Sequence, residues 1–301
     1  MNDLPDLSGR TVLITGGNSG IGKATAAALT GAGASVVITA RDPQRGAQAV
    51  DDIRKAAGGR GSIAVRELDL ARLDSVRSFA ASFLAEHPRL DVLILNAGLT
   101  AAKRTVTEDG FETLFQVNHL AHFLLTHLLL DRLIESSPSR VVVVASSSHR
   151  QAGRLDFDDL QAERNYVGLR AYARTKLANV LFARELARRL QGTGVTANAL
   201  HPGTVRTGWG ADGDAGFLLT VGLKMASWVF LSPEQGARTS VYLAASPEVK
   251  DATGGYYVRR RLARPAPAAR DDDAARRLWQ VSEELLGLSG NQPPPPSPEG
   301  G

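Results

Sequence analysis

Residues 11–22 read TVLITGGNSGIG, and the reading of this stretch decides the fold. Residues 11–16 are an apolar, β-rich run that breaks on Gly16-Gly17, and Ile21 to Leu29 then carries a helical pattern ending at Gly31 and Gly33. Glycines stand at 16, 20 and 22, with polar Asn18 and Ser19 between them, in a strand-to-helix turn. Glycine supplies positive φ where a chain bends sharply. It also lets main chain come close to a pyrophosphate, whose charge the helix N-terminus then meets. Three glycines, polar residues between them and these flanks favour the binding role over a plain turn.

The alternation continues outward. Strands are expected at 35–40, 62–68, 91–95, 140–145, 196–200 and 255–258, and helices at 43–57, 73–85, 111–134, 172–190, 233–245 and 271–286. Strands separated by helical stretches of about 10–15 residues mean βαβ units and a parallel sheet. Near-continuous Val/Ile/Leu runs such as DVLIL are what strands covered on both faces require. The fold class is therefore α/β, a single doubly wound domain with a parallel sheet and helices on both faces. Ligands on such sheets bind beyond the carboxyl ends of the strands. The glycine turn, Arg41, Asp69, Asn96, Ser146 and Pro202-Gly203 all fall at those ends.

Composition narrows the function classes. At 301 residues, 43% apolar and 22% charged, the chain is an ordinary soluble globular protein. It has no cysteine, which excludes disulfides and thiolate metal sites and fits a reducing compartment. MNDLPDLSGR lacks the basic start and apolar core of a signal peptide. The net charge of +4 invites a nucleic-acid reading, but only Arg259-Arg260-Arg261 forms a dense basic run, and no aromatic platform accompanies it. Nucleic acid is not expected as a partner. No run of about 18 apolar residues exists, so no transmembrane span is expected. The apolar stretch 217–231, interrupted by Gly222 and Lys224, reads as a cap over a cleft, a buried helix or a surface-docking segment.

The chemistry centres on Tyr172-Ala173-Arg174-Thr175-Lys176. Tyr and Lys four apart on a helix share a face. A free phenol, with a pKa of about 10, is a poor acid and a worse base at neutral pH. A neighbouring ammonium favours the phenolate and is expected to pull that value down. Such a pair can exchange a proton with a substrate oxygen, although alone the spacing is a weak motif.

Gly-x-x-x-Gly-x-Gly at 16–22, Asn96-Ala97-Gly98, a Ser closing the fifth strand, Tyr-x-x-x-Lys at 172–176 and Pro202-Gly203 follow one another in that order. Together they resemble the short-chain dehydrogenase/reductase family, in its retinol-dehydrogenase and WW-domain-oxidoreductase branch. NHLAHFLLTHLLL at 118–130, the Ser-Ser-Ser-His run at 146–149, HPGTVRT at 201–207 and ARRLWQVSEELLGL at 275–288 support the branch. The resemblance covers roughly residues 7–288 and implies a Rossmann-type, NADP(H)-binding domain over 1–286. It further implies a substrate-capping segment at about 208–232, and the Pro-rich tail 287–301 is expected to be disordered.

Through that resemblance Tyr172 is the acid/base, Lys176 reaches the nicotinamide ribose, and Ser146 holds the substrate oxygen. Asn118 supports a water linking Lys176 to the proton relay; on the residues alone, a satisfied core amide is an equal reading. Gly16, Asn18, Ser19, Gly20, Ile21 and Gly22 would hold the pyrophosphate. Asp69 with Leu70 would meet the adenine, and Asn96 with Ala97 and Gly98 the adenosine ribose side. Pro202, Gly203, Val205 and Thr207 would face the nicotinamide amide. At the end of the second strand an acid would bind both ribose hydroxyls, whereas an Arg welcomes a 2′-phosphate. This chain has Ala40 then Arg41. NADP(H) is preferred, with NAD(H) also compatible.

His119, His122 and His127 share one helix without a metal-binding H-E-x-x-H arrangement, so no metal is expected. His149 and His201 are read as lining the substrate mouth. The expected substrate is a small hydrophobic carbonyl or alcohol compound (a retinoid, steroid or polyketide-like ketone). The chain opens directly on the first strand, where membrane-bound retinol dehydrogenases carry an anchor, so a soluble cytoplasmic enzyme is expected. A homo-oligomer is compatible with the sequence. The competing reading is a non-catalytic dinucleotide-binding scaffold or sensor of the same fold.

Overall fold

The apolar runs pair as one sheet. The structure, a computed structural model, describes residues 4–203 and 231–288. Strands β1 (Thr11–Ile14), β2 (Ser35–Ala40), β3 (Ser62–Glu67), β4 (Val92–Leu95), β5 (Ser139–Val144), β6 (Val195–His201), β7 (Tyr256–Val258) and β8 (Arg261–Leu262) form it in the order β3-β2-β1-β4-β5-β6-β7-β8. The pairings from β3 through β7 are parallel, and only β8 is antiparallel. The short β8 was not expected from sequence. Its hairpin turn places Arg259 and Arg260 at φ 51° and 65°, a conformation that turn predictions reserve for Gly or Asn.

Alternate residues of each strand enter two cores. Leu13, Leu93 and Val141 face one side, and Val12, Ile14, Ile94 and Val142 the other. The first core is covered by α3 (Leu73–Glu86), α5 (Ala121–Leu128) and α7 (Gly168–Arg189). The second lies under α1 (Gly20–Gly31), α2 (Pro43–Ala57) and α8 (Pro233–Ala245). The last helix, α9 (Asp272–Leu285), packs against α7; Trp279 stacks on Phe182 and meets Phe123 edge-on, under the Arg189 guanidinium. Gly287, at φ 65°, and the Leu288 N–H donating to Glu283 O close that helix. Strand order reverses between β1 and β4, so the crevice for a ligand opens at their carboxyl ends.

The helix expected over 111–134 is not continuous. It divides into α4 (Thr113–Phe115), a π turn at Gln116–Leu120, α5, and α6 (Leu130–Glu135). Asn118 lies in the π turn with its amide bonded outside the helix, which accounts for the local widening. Such turns recur at functional sites. The segment 217–231 lies outside the described residues except for Leu231, as do 208–230 of the expected cap and 289–301 of the tail. No described helix is long and apolar enough to cross a membrane.

Candidate active site

The crevice floor is the turn after β1. Gly16 and Gly20 sit at φ 63° and 51°, where side-chain-bearing residues are strained. A Cβ on Gly22 would fall 2.4 Å from Gly16 O and 2.5 Å from Asn96 Nδ2, so only glycine allows α1 to start this close to the strand. Asn96 braces the turn, its Nδ2 donating to Thr15 O at 2.9 Å and Gly16 O at 3.1 Å. Ser19 is the N-cap of α1 but its side chain makes no capping bond, and the first turn holds no acidic residue. The amides there are left for an outside anion.

The second group gathers where α7 crosses the ends of β4 and β5. Tyr172 is hydrogen-bonded to Ser146. Ser146 Oγ also accepts from Ser148 N and bonds Ser148 Oγ, both at 3.1 Å. Lys176 Nζ lies 5.6 Å from the centre of the Tyr172 ring and donates to Val144 O at 3.1 Å. A Cβ on Gly98 would come within 3.1 Å of Asn118 Oδ1 and 3.3 Å of Lys176 Nζ, so this glycine leaves the corner that both side chains enter. Asn118 is fully buried. Its Oδ1 accepts from Leu99 N at 2.8 Å, and its Nδ2 donates to Leu99 O at 3.0 Å and Thr175 Oγ1 at 3.1 Å. Both ends of that amide are thus partnered, tying the loop after β4 to α7.

Electrostatics departs from the sequence expectation at one point. Burial pushes the Tyr172 phenol above its usual value, and the hydrogen bond to Ser146 counters it in part. Desolvation of the phenol outweighs an ammonium that sits over the ring and is spent on Val144 O. Burial also depresses Lys176 to about 8. A buried cation whose titration is so shifted, in a crevice, marks a candidate functional site.

The short chain dehydrogenase family model matches residues 10–215. The chain belongs to this family. It is 48% identical over 295 residues to human retinol dehydrogenase 14, across 94% of this chain and 88% of that protein. Among solved structures it resembles an uncharacterized protein from Mycobacterium paratuberculosis, with a TM-score of 0.77 and 37% identity, over 95% of this chain and 96% of the other. A Beutenbergia cavernae protein named as an NAD(P)-dependent gluconate 5-dehydrogenase, solved with NADP at low occupancy, aligns with a TM-score of 0.68 and 29% identity over 84% and 96% of the two chains. The chain is thus a short-chain dehydrogenase of the retinol dehydrogenase branch, an oxidoreductase of carbonyl and alcohol groups.

Those of the remaining expected residues of this short-chain dehydrogenase that are described follow the ends of β1, β2, β3, β4 and β6. Arg41 is exposed just beyond β2, and Asp42 caps α2, accepting from Gln44 N and Arg45 N. Asp69 turns one oxygen to Ala71 N at 2.9 Å, and Leu70 buries its side chain in the first core, leaving its main chain at the edge. Ile21 packs against the second core, and Ala97 against the first. Gly203 has φ 94° and passes so near Leu231 that a Cβ would lie 2.4 Å from Leu231 Cδ1. Val205 and Thr207 lie outside the described residues.

Thr15 was not singled out by sequence, and His119, His122 and His149, named there, take fully buried positions. Thr15 Oγ1 gathers the N–H groups of Asn96 and Ala97 and contacts His122 Nε2. His122 and His119 are fully buried and held neutral at about 3, by burial and then by neighbouring charge. His149 does not line a mouth: it is fully buried between Ser146 O and Ala266 N. Its position three residues after Ser146, in a 3-10 turn, was the available signal. Among the described residues no group of His and acidic side chains is placed to hold a metal.

Proposed function

We propose that this chain is an NADP(H)-preferring oxidoreductase that interconverts a carbonyl and an alcohol on a hydrophobic substrate, with Tyr172 as acid/base. The observation that carries the reading is the convergence of the Tyr172 phenol, Ser146 and the buried Lys176 ammonium, which lies 5.6 Å from the centre of the phenol ring. The glycine cradle at Gly22 and the uncapped start of α1 fit a dinucleotide pyrophosphate. Gly16, Asn18, Ser19, Gly20, Ile21 and Gly22 would hold it, with Asp69, Leu70, Asn96, Ala97 and Gly98 on the adenosine side. Pro202, Gly203, Val205 and Thr207 would take the nicotinamide side. Exposed Arg41 after β2, with Ala40 where an acid would repel it, suits a 2′-phosphate.

The bound nicotinamide supplies or accepts the hydride. The chain's own residues handle the oxygen. Ser146 donates to the carbonyl oxygen and holds it against the phenol. Tyr172, protonated at neutral pH, gives its proton to that oxygen as negative charge builds there; in oxidation it takes the proton back. Lys176 places a positive charge behind the phenol and so stabilises the phenolate left after transfer. Asn118 fixes the loop after β4 and the Thr175 turn of α7, keeping Tyr172 and Lys176 in register. The apolar residues at 208–232 are assigned to covering the substrate, the whole of 1–286 to one domain, and 287–301 to a tail. Absence of cysteine supports a cytoplasmic setting, and no nucleic acid or membrane-spanning role is assigned.

The test is NADPH oxidation with a panel of retinoid, steroid and short polar carbonyl compounds, comparing wild type with Tyr172→Phe. Tyr172-dependent turnover favouring the apolar compounds is expected. Cofactor binding with no Tyr172-dependent turnover on any compound would instead identify a scaffold or sensor.

A further inference from the structure

We infer that His149 is a positioning residue for Ser146, and that through it the segment after β8 is part of the active-site framework. The inference rests on the reading of Ser146 as the residue that holds the substrate oxygen. His149 Nδ1 lies 2.6 Å from Ser146 O, and its Nε2 lies 3.0 Å from Ala266 N. A carbonyl oxygen only accepts and a peptide N–H only donates. The ring hydrogen is therefore on Nδ1, and Nε2 is bare. Both nitrogens are used, the ring is fully buried, and Tyr256 packs edge-on at 4.9 Å, so the imidazole has one orientation and one tautomer.

The consequence lies in the peptide it grips. Ser146 is extended, at φ −158° and ψ 157°, and its side chain caps the 3-10 turn Ser147–Gln151 by accepting from Ser148 N. Its hydroxyl is held to the following turn through the Ser148 N–H, so the placement of that turn sets the hydroxyl's direction. The Nδ1–H bond to Ser146 O, beside the longer one from His149 N at 3.3 Å, fixes the start of that turn, and with it the oxygen's approach to Tyr172. At its other end the imidazole holds Ala266, four residues beyond β8, and a second strap runs from Arg150 Nη2 to Arg264 O at 2.6 Å. Ala266 opens the approach to α9, which His119 in turn holds through Ser282 at 2.9 Å. The C-terminal segment is thereby tied both to the turn after β5 and to the helix below it.

Two substitutions separate the halves of the bridge. In His149→Asn the side-chain amide stands where Nδ1 stood and still donates to Ser146 O, while the Ala266 bond is lost. In His149→Gln the carbonyl stands where Nε2 stood and still accepts from Ala266 N, while the Ser146 bond is lost. We expect His149→Asn to keep kcat within about threefold and His149→Gln to lose about 10- to 100-fold, the KM for NADPH unchanged in both. Amide hydrogen exchange over 146–152 should rise in His149→Gln and not in His149→Asn. Spectra of 15N-histidine-labelled wild type should show His149 as the Nδ1–H tautomer. Equal losses of kcat in step with equal losses of thermal stability, or no loss in either variant, would overturn the inference, as would an Nε2–H tautomer. The exchange and tautomer readouts do not depend on turnover. Should wild-type turnover prove independent of Tyr172, the catalytic reading fails while these two still decide the placement of Ser146.

Discussion

The Thr15 hydroxyl and His122 Nε2 meet at 3.0 Å, joining the glycine turn after β1 to the helix that carries Asn118. The Thr15 oxygen already accepts from Asn96 N at 2.9 Å and Ala97 N at 3.0 Å, so both lone pairs are occupied and its hydrogen points at Nε2. The imidazole hydrogen is consequently on Nδ1, directed at Asn118 O 3.3 Å away. A single relay of bonds thus runs from the loop after β4, through the dinucleotide turn, to the main chain of the π turn. Burial, with the Lys176 charge second, holds His122 at about 3, and the ring stays neutral through the physiological range.

Replacing Thr15 tests whether this hub holds the crevice together. Thr15→Val keeps the shape and removes the oxygen, leaving two peptide N–H groups and His122 Nε2 without their partner. At about 1–3 kcal/mol for each buried group left unpaired, a loss of about 2 kcal/mol or more is expected in urea unfolding. Thr15→Ser should lose less than about 1 kcal/mol. Equal stability of wild type and Thr15→Val would remove Thr15 from that role.

Gly22→Ala addresses the cradle. The added Cβ would meet Gly16 O at 2.4 Å, main chain of the turn itself, and Asn96 Nδ2 at 2.5 Å, a side chain already bonded to that turn. Relief requires α1 to move off the strand, which opens the site meant for the pyrophosphate. Titration of NADPH fluorescence should show affinity reduced by more than about 10-fold. An alanine variant that binds NADPH as wild type does would show that the turn is not the phosphate site.

Much of this was legible in the chain because the information was local. Strand and helix alternation around TVLITGGNSGIG is written in hydrophobic period and glycine placement, and Tyr172 and Lys176 share a face because helices have a fixed pitch. What was not legible depended on contacts between distant residues. The break at Gln116–Leu120 follows from Asn118 finding Leu99 and Thr175, neither of which an apolar helical pattern announces. Depression of Tyr172 by Lys176 was expected from spacing alone, whereas the sign depends on how deeply both are buried. His149 likewise reads as a polar residue at a strand end until Ala266 is known to lie against it.

The proposed preference for NADP(H) turns on Arg41, exposed one residue beyond β2. Its guanidinium suits a phosphate, whereas a free ribose hydroxyl pair is better met by a carboxylate. Arg41→Ala should weaken NADPH by about 10-fold while leaving NADH nearly unchanged, a loss of about 1.4 kcal/mol read in parallel titrations. Equal weakening of both would place Arg41 away from the discriminating phosphate.

Acid lability should follow from the buried histidines. His119 is depressed from 6.5 to about 3, first by burial and then by His122. Between those two values the unfolded chain binds a proton that the folded chain refuses, so stability falls as pH drops from about 6.5 towards 3. Thermal melts should decline across that window, and His119→Gln should flatten part of the decline. Melting temperatures level from pH 6.5 to 4 would contradict neutral burial of this ring.

Lys176 makes the alkaline counterpart. Burial lowers its ammonium from 10.5 to about 8, so the free enzyme carries the charge below that pH and loses it above. If the charge stabilises the phenolate formed as Tyr172 gives up its proton, kcat/KM for reduction should be level below pH 8 and fall about tenfold per unit beyond it. Tyr172 cannot produce that limb, because burial places its own titration above 10. Folding must bury an ammonium that the unfolded chain keeps hydrated, so this residue's contribution to stability rises between pH 8 and 10.5, opposite in direction to the activity. Lys176→Arg, whose guanidinium stays charged, should lower the rate but abolish the limb. A wild-type profile level to pH 9.5, or one whose limb survives in Lys176→Arg, would show that the rate does not depend on this ammonium.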